Sequence, residues 1–275
     1  MYRSVIHIFL IMKKVIESGM EQIKKHPFDR AIELNTPYTY WHMREIDRAT
    51  IEEAIRRGTS IELDIAFDEE TGEIYVGHPK EFYTIEKQTP LPHNIGIDEA
   101  VAMIKDVEDL VLVLDCKHEK ALPKIKEIIE TLGQHRCILH AFIKEWSVPY
   151  PADIHQEAHW RVEDVPLAAI QKVQQETGVK TIGAIHALSV ARLENEALLN
   201  RALETAEDTF ESISIYLPGV ATPPFKHLKQ IVDKGYLPWL SQDELEASGE
   251  KFDFAYVGMS DDPTKATVNR EFLNS

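Results

Sequence analysis

Six side chains in this sequence have the types and spacing for chemistry on a charged substrate: His42, Glu62, Asp64, His78, Asp115 and Lys117. In the run Ser60-Ile61-Glu62-Leu63-Asp64-Ile65-Ala66-Phe67, strand alternation puts Glu62 and Asp64 on one face, with Leu63 and Ile65 on the other. Two carboxylates about 7 Å apart along a strand favour a cation between them. Asp115 ends the apolar run Leu110-Val-Leu-Val-Leu and adds a third carboxylate, one that a buried strand cannot carry without a partner. Three hard oxygen donors suit Mg²⁺ or Ca²⁺ better than a soft metal. Such a cation would bridge a phosphate oxygen and neutralise charge that develops during cleavage. His42 and His78 can divide the work of base and acid, because an imidazole with a pKa of about 6.5 takes or gives a proton near neutrality. Lys117 shares parity with Asp115 and can hold a second phosphate oxygen as a point charge. Other readings stay open: Glu62 and Asp64 as a solvent-facing pair, His42 as packing beside Trp41, and Lys117 as the structural ion-pair partner of Asp115.

These residues need elements to bring them together, and the chain supplies a regular alternation. Tyr38 to His42 reads as a short aromatic strand. Thr50-Ile-Glu-Glu53 is a capping box opening a helix that Gly58 closes. Residues 61–67 form the second strand, Asp68 to Glu73 a turn, and Ile74 to His78 a returning hairpin arm. A loop with Pro90 and Pro92 precedes a helix carrying Ala100, Val101 and Ile104 on one face. The continuous apolar run before Asp115 marks a strand buried on both sides. Leu122, Ile125, Ile128, Ile129 and Leu132 then form a helical stripe that ends at Gly133. Further strands are expected at Cys137–Ile143, Lys180–His186, Ile213–Leu217, Tyr236–Leu240 and Phe254–Met259, with helices between them. Eight strands alternating with helices argue for a single (β/α)8 barrel over 38–275. An open doubly wound sheet is the second choice, but neither G-x-G-x-x-G nor G-x-x-x-x-G-K-[ST] is present to support nucleotide binding. In a barrel, reactive groups gather at the carboxyl ends of the strands, where the six residues fall; His140, His186 and Tyr216 lie near strand ends as well.

At 275 residues and a net charge of -16, the chain repels nucleic acid and anionic membrane surfaces, so a phosphate-bearing substrate needs local positive charge. Cys116 and Cys137 sit in apolar strand-like runs and read as buried reduced thiols. Residues 1–37 read as a leader, with an amphipathic helix from Lys13 to His26 ended by Pro27. The apolar run Val5 to Met12 is too short to span a bilayer, so the expected location is cytoplasmic, or exported if residues 1–12 act as a signal.

With these residues set out, the sequence resembles the phospholipase C-like phosphodiesterase superfamily, in particular glycerophosphodiester phosphodiesterases and sphingomyelinase D-like enzymes. The match comprises a strand-end His42, the I-E-L-D strand with Glu62 and Asp64, a hairpin leading to Gly77-His78, and an apolar strand ending D-x-K at Asp115 and Lys117, over roughly residues 38 to 118. Trp239 is a weaker further match. The spacing from His42 to Glu62, and D-x-K in place of E-x-K, are nearer to the sphingomyelinase D-like branch. The resemblance implies a barrel binding Mg²⁺ or Ca²⁺ through Glu62, Asp64 and Asp115, with His42 and His78 as the acid/base pair and Lys117 and Trp239 binding substrate. It implies a small or lipid-derived phosphodiester substrate, a glycerophosphodiester or lysophospholipid, cleaved by a neighbouring hydroxyl through a cyclic phosphate. Departures are His42-Met43-Arg44 for the usual H-R-G, His78-Pro79 for H-D, and no long insertion after the second strand. Two alternatives accompany this expectation: a non-catalytic phosphodiester-binding barrel, and a Mg²⁺-dependent lyase or aldolase-type enzyme.

Overall fold

The computed structural model describes residues 26–43, 46–77, 95–146, 164–185, 196–206, 209–215 and 225–274. Eight parallel strands close into a barrel: β1 (Tyr38–Trp41), β2 (Ile61–Phe67), β4 (Leu112–Cys116), β5 (Cys137–Ile143), β7 (Lys180–Ile185), β8 (Ser212–Ile215), β9 (Leu237–Ser241) and β10 (Val257–Ser260). Closure is made where β1 pairs with both its sequence neighbour β2 and the last strand β10. β3 (Ile74–Val76) returns antiparallel along β2, and β6 (Asp164–Val165) adds to β5. The helices are α1 (Pro27–Leu34), α2 (Arg48–Arg57), α3 (Ile97–Ile104), α4 (Leu122–Leu132), α5 (Leu167–Thr177), α6 (Glu196–Thr205), α7 (Phe225–Asp233), α8 (Gln242–Ser248) and α9 (Asn269–Asn274). The expected (β/α)8 barrel is therefore the observed fold.

Strand alternation sorts the side chains into two cores. Leu63, Ile65, Leu112, Leu114, Leu139 and Ile213 face outward into the layer shared with the helices. Tyr38, Tyr40, Val113, Ile138, Ile182, Leu237, Trp239 and Val257 face inward and fill the barrel. Both thiols are free and buried, and burial pushes each up to about 12.

Pro27 opens α1, a helix that the sequence does not lead one to expect, where its missing N–H removes no hydrogen bond, and His26 Nδ1 caps the helix by accepting from Phe28 N at 3.2 Å. The expected helix over 13–26 lies otherwise outside the described residues. Phe28 and Ala31 of α1 join the interior core, so the helix stoppers the end from which the strands start. His26 Nε2 lies 3.2 Å from Cys137 O at the start of β5, and Asp29 is 3.1 Å from Lys180 at the start of β7. Tyr38, Ser60 and Asn269 form a closed hydrogen-bond network at the same end, with Asn269 Nδ2 donating to Asp109 O at 2.7 Å. Smaller differences concern strand limits: β4 and β10 start later than the apolar runs suggest, because Leu110 and Phe254 precede the paired register. Helix α8, capped by Ser241 Oγ, stands where no element is expected. Among the described residues, no helix is long and apolar enough to cross a membrane.

Candidate functional site

The opposite end of the barrel gathers the charged residues. Backbone register sets Asp64 beside Asp115 and Asp115 beside His140, so three adjacent strands present one polar row into the interior. Glu62 lies one inward position deeper on β2. All four side chains are at least nine-tenths buried, as is Lys117. The Lys117 ammonium donates to Asp115 Oδ2 at 2.8 Å and lies 3.4 Å from Asp64 Oδ1. His140 Nδ1 lies 3.2 Å from Asp115 Oδ2 and 3.8 Å from Glu62 Oε1.

Several of these atoms have no hydrogen bond among the described residues: Glu62 Oε2, Asp115 Oδ1 and both ring nitrogens of His140. Leaving a buried acceptor unmade costs about 1–3 kcal/mol, more when it is charged, so the cluster is poised for a cation. One donor atom from each of Glu62, Asp115 and His140 falls within 4.8 Å of the others, a spacing a single metal ion can satisfy. The electrostatics agree. Burial, then the charges of Asp115 and Asp64, push the Glu62 carboxyl well above the usual carboxylate range. Burial acts upward on Asp115 too, but His140 and Lys117 outweigh it and hold that carboxyl low.

His42 stands at the mouth, 24% exposed, at the end of β1. Its N–H donates to Ser260 O at 2.8 Å, its Nδ1 lies 2.7 Å from Asp261 Oδ1, and its Nε2 faces Glu62 Oε2 at 3.6 Å. A carboxylate on one ring nitrogen orients the other toward the cluster and stabilises the imidazolium when it forms. Trp239 of β9 is buried inside the barrel, its ring parallel to His140 at 6.3 Å and its Nε1 donating to Tyr40 Oη at 2.8 Å. Burial, then Glu62, pushes the Tyr40 phenol well above its ordinary value, so it stays neutral.

The structure thus brings together His42, Glu62, Asp64, Asp115, Lys117 and Trp239. His78, His186 and Tyr216 lie outside the described residues; Gly77, just before His78, donates its N–H to Asp64 O at 2.9 Å. Lys117 has the ion-pair role that the sequence left open as an alternative. Asp261 went unread. It lies 219 positions from His42, and only barrel closure joins them. The Ser-Asp-Asp run after the last strand was the available signal. His140 was noted only for its nearness to a strand end; its inward parity with Ile138 would have placed it in the cluster.

No protein-family model matches the chain, and no curated protein matches it in sequence. Similar solved structures include a phosphonopyruvate hydrolase in complex with oxalate and Mg²⁺, at 13% identity over 86% of this chain and 80% of that one, TM-score 0.49. An Oleispira antarctica phosphodiesterase in complex with its product sn-glycerol-3-phosphate is 14% identical over 87% and 98%, TM-score 0.47. A 2,3-dimethylmalate lyase of the PEP mutase/isocitrate lyase superfamily is 11% identical over 86% and 81%, TM-score 0.47. At such identities and scores the likeness assigns no chemistry to this chain.

Proposed function

We propose that the protein is a divalent-metal-dependent phosphodiesterase acting on a glycerophosphodiester or lysophospholipid-like diester. The observation that carries this reading is a buried carboxylate–imidazole cluster with unmade hydrogen bonds, overlooked by an imidazole that Asp261 aims at it. Glu62, Asp115 and neighbouring donors would hold the cation, Mg²⁺ or Ca²⁺ if only oxygen ligands are used, and the cation would offset charge on the phosphate oxygens. His42 Nε2 moves the proton of the attacking hydroxyl or of the leaving oxygen, and Asp261 supports the charged ring. His78 is proposed as its counterpart on the other side of the phosphate. Lys117 keeps Asp115 ionised. Attack by a neighbouring substrate hydroxyl would give a cyclic phosphate; attack by water would give the monoester.

Purified protein with a divalent cation is expected to cleave glycerophosphocholine or a lysophospholipid, with product followed by phosphorus NMR. Chelator should abolish turnover, and His78→Ala should abolish it while the circular dichroism spectrum stays unchanged. Tight diester binding without product would favour a non-catalytic barrel. One observation, the imidazole of His140 among the metal donors, also fits a lyase or aldolase-type reaction on a 2-oxo acid. Turnover of such acids in place of diesters would decide for it.

A further inference from the structure

We infer that the metal is held by Glu62, Asp115 and the imidazole of His140, with Asp64 left outside the coordination shell, and that the site prefers a metal accepting nitrogen, of the Mn²⁺ to Zn²⁺ series, over Mg²⁺ and Ca²⁺. This rests on the rim cluster being a divalent-cation site. The argument turns on where positive charge already stands. Lys117 Nζ, bonded to Asp115 Oδ2 and 3.4 Å from Asp64 Oδ1, takes up the space between those two carboxylates. A divalent ion shared by Asp64 and Asp115 would sit against that ammonium, and like charges in a buried site repel strongly.

Among the described residues, Glu62 Oε2 and Asp115 Oδ1 have no hydrogen bond, and neither does either nitrogen of His140, a side chain 4% exposed. His140 Nδ1 lies 3.2 Å from Asp115 Oδ2 and 3.8 Å from Glu62 Oε1, and one donor atom from each of the three side chains falls within 4.8 Å of the others, a spacing that one small ion can satisfy. The parallel indole of Trp239 limits how the ring can turn. Two carboxylates and an imidazole form a mixed oxygen–nitrogen set, which hard Mg²⁺ and Ca²⁺ seldom use and the borderline metals accept readily. Asp64 then holds Lys117, and Lys117 steadies Asp115.

The full-length protein titrated calorimetrically with Mn²⁺, Co²⁺, Mg²⁺ and Ca²⁺ tests this, with electron spin-echo envelope modulation recorded on the Mn²⁺-loaded protein. Mn²⁺ and Co²⁺ are expected to bind at least about tenfold more tightly than Mg²⁺ and Ca²⁺. Wild-type protein should show nitrogen modulation from a bound imidazole; His140→Ala should lose it along with about tenfold or more in Mn²⁺ affinity. Asp64→Asn should keep the modulation, because the imidazole stays bound, whatever affinity is lost with the support of Lys117. A Mn²⁺ spectrum without nitrogen modulation, which needs no variant to observe, overturns the inference, as does Mn²⁺ binding lost in Asp64→Asn and kept in His140→Ala. If that result accompanies Mg²⁺-dependent diester cleavage, the proposed function stands and only the ligand set falls. Nitrogen modulation without diester cleavage leaves the ligand set standing and removes the phosphodiesterase. Failure of all four ions to bind overturns both.

Discussion

The two ends of the barrel handle buried polar groups in opposite ways. At the end where strands start, the buried histidine, phenol and amide have partners: His26 meets Cys137 O and Phe28 N, while Tyr38, Ser60 and Asn269 satisfy one another, and the buried side chains left unmade there are neutral hydroxyls, Thr59 and Ser212. At the end where strands finish, Glu62, Asp115 and His140 are just as buried yet, among the described residues, leave charged or titratable acceptors and ring nitrogens unmade. A buried polar group without a partner is a local cost, so it persists where something other than stability maintains it. The first end is built to hold the barrel together and the second to hold something that arrives later.

That contrast can be broken by experiment. The largest effect is expected at the mouth, where His42→Ala should lower kcat for the diester by about 10²–10⁴ while the melting temperature stays near wild type. Phe28→Ala, at the stoppered end, should do the reverse, costing about 3–5 kcal/mol in denaturant unfolding with kcat unchanged. Equal loss of stability from both would dissolve the distinction. The stoppered end should also set acid sensitivity. Burial lowers the His26 pKa to about 4 from 6.5, so the unfolded chain binds the proton first and stability falls as pH drops through that window. About 3 kcal/mol should be lost between those values, and His26→Gln should flatten the unfolding curve there. The smallest change is expected at Asp261, whose side chain is 40% exposed and so screened by solvent. Asp261→Asn should reduce kcat about tenfold with KM unchanged and alter the pH profile of kcat, a split that loss of packing alone would not produce.

How far the sequence could be read follows the range of the interaction. β2 and β5 match their expected limits residue for residue, because strand alternation and apolar runs are local signals. The grouping of Glu62, Asp64, Asp115 and Lys117 was also legible, since adjacent strands of a barrel carry their last residues to one rim. The helix from Pro27 was not legible, because a proline that can end one helix suits the start of another equally well. Asp261 was invisible for another reason: nothing near it in sequence indicates that the final strand will lie beside the first. Whether Lys117 serves substrate or its neighbours depends on a side-chain direction of a few ångströms, which spacing does not encode.

The placement of His42 has a consequence for biosynthesis. Its ring is held by Asp261 and its backbone by Ser260, so the proposed acid–base pair straddles the seam between the first and the last strand of the barrel. A nascent chain with seven strands already exposed to the cell has the carboxylates and Lys117 but no oriented imidazole. On the proposed function, acid–base competence is thus withheld until the ring is sealed, and recovery of turnover during refolding would time the docking of β10.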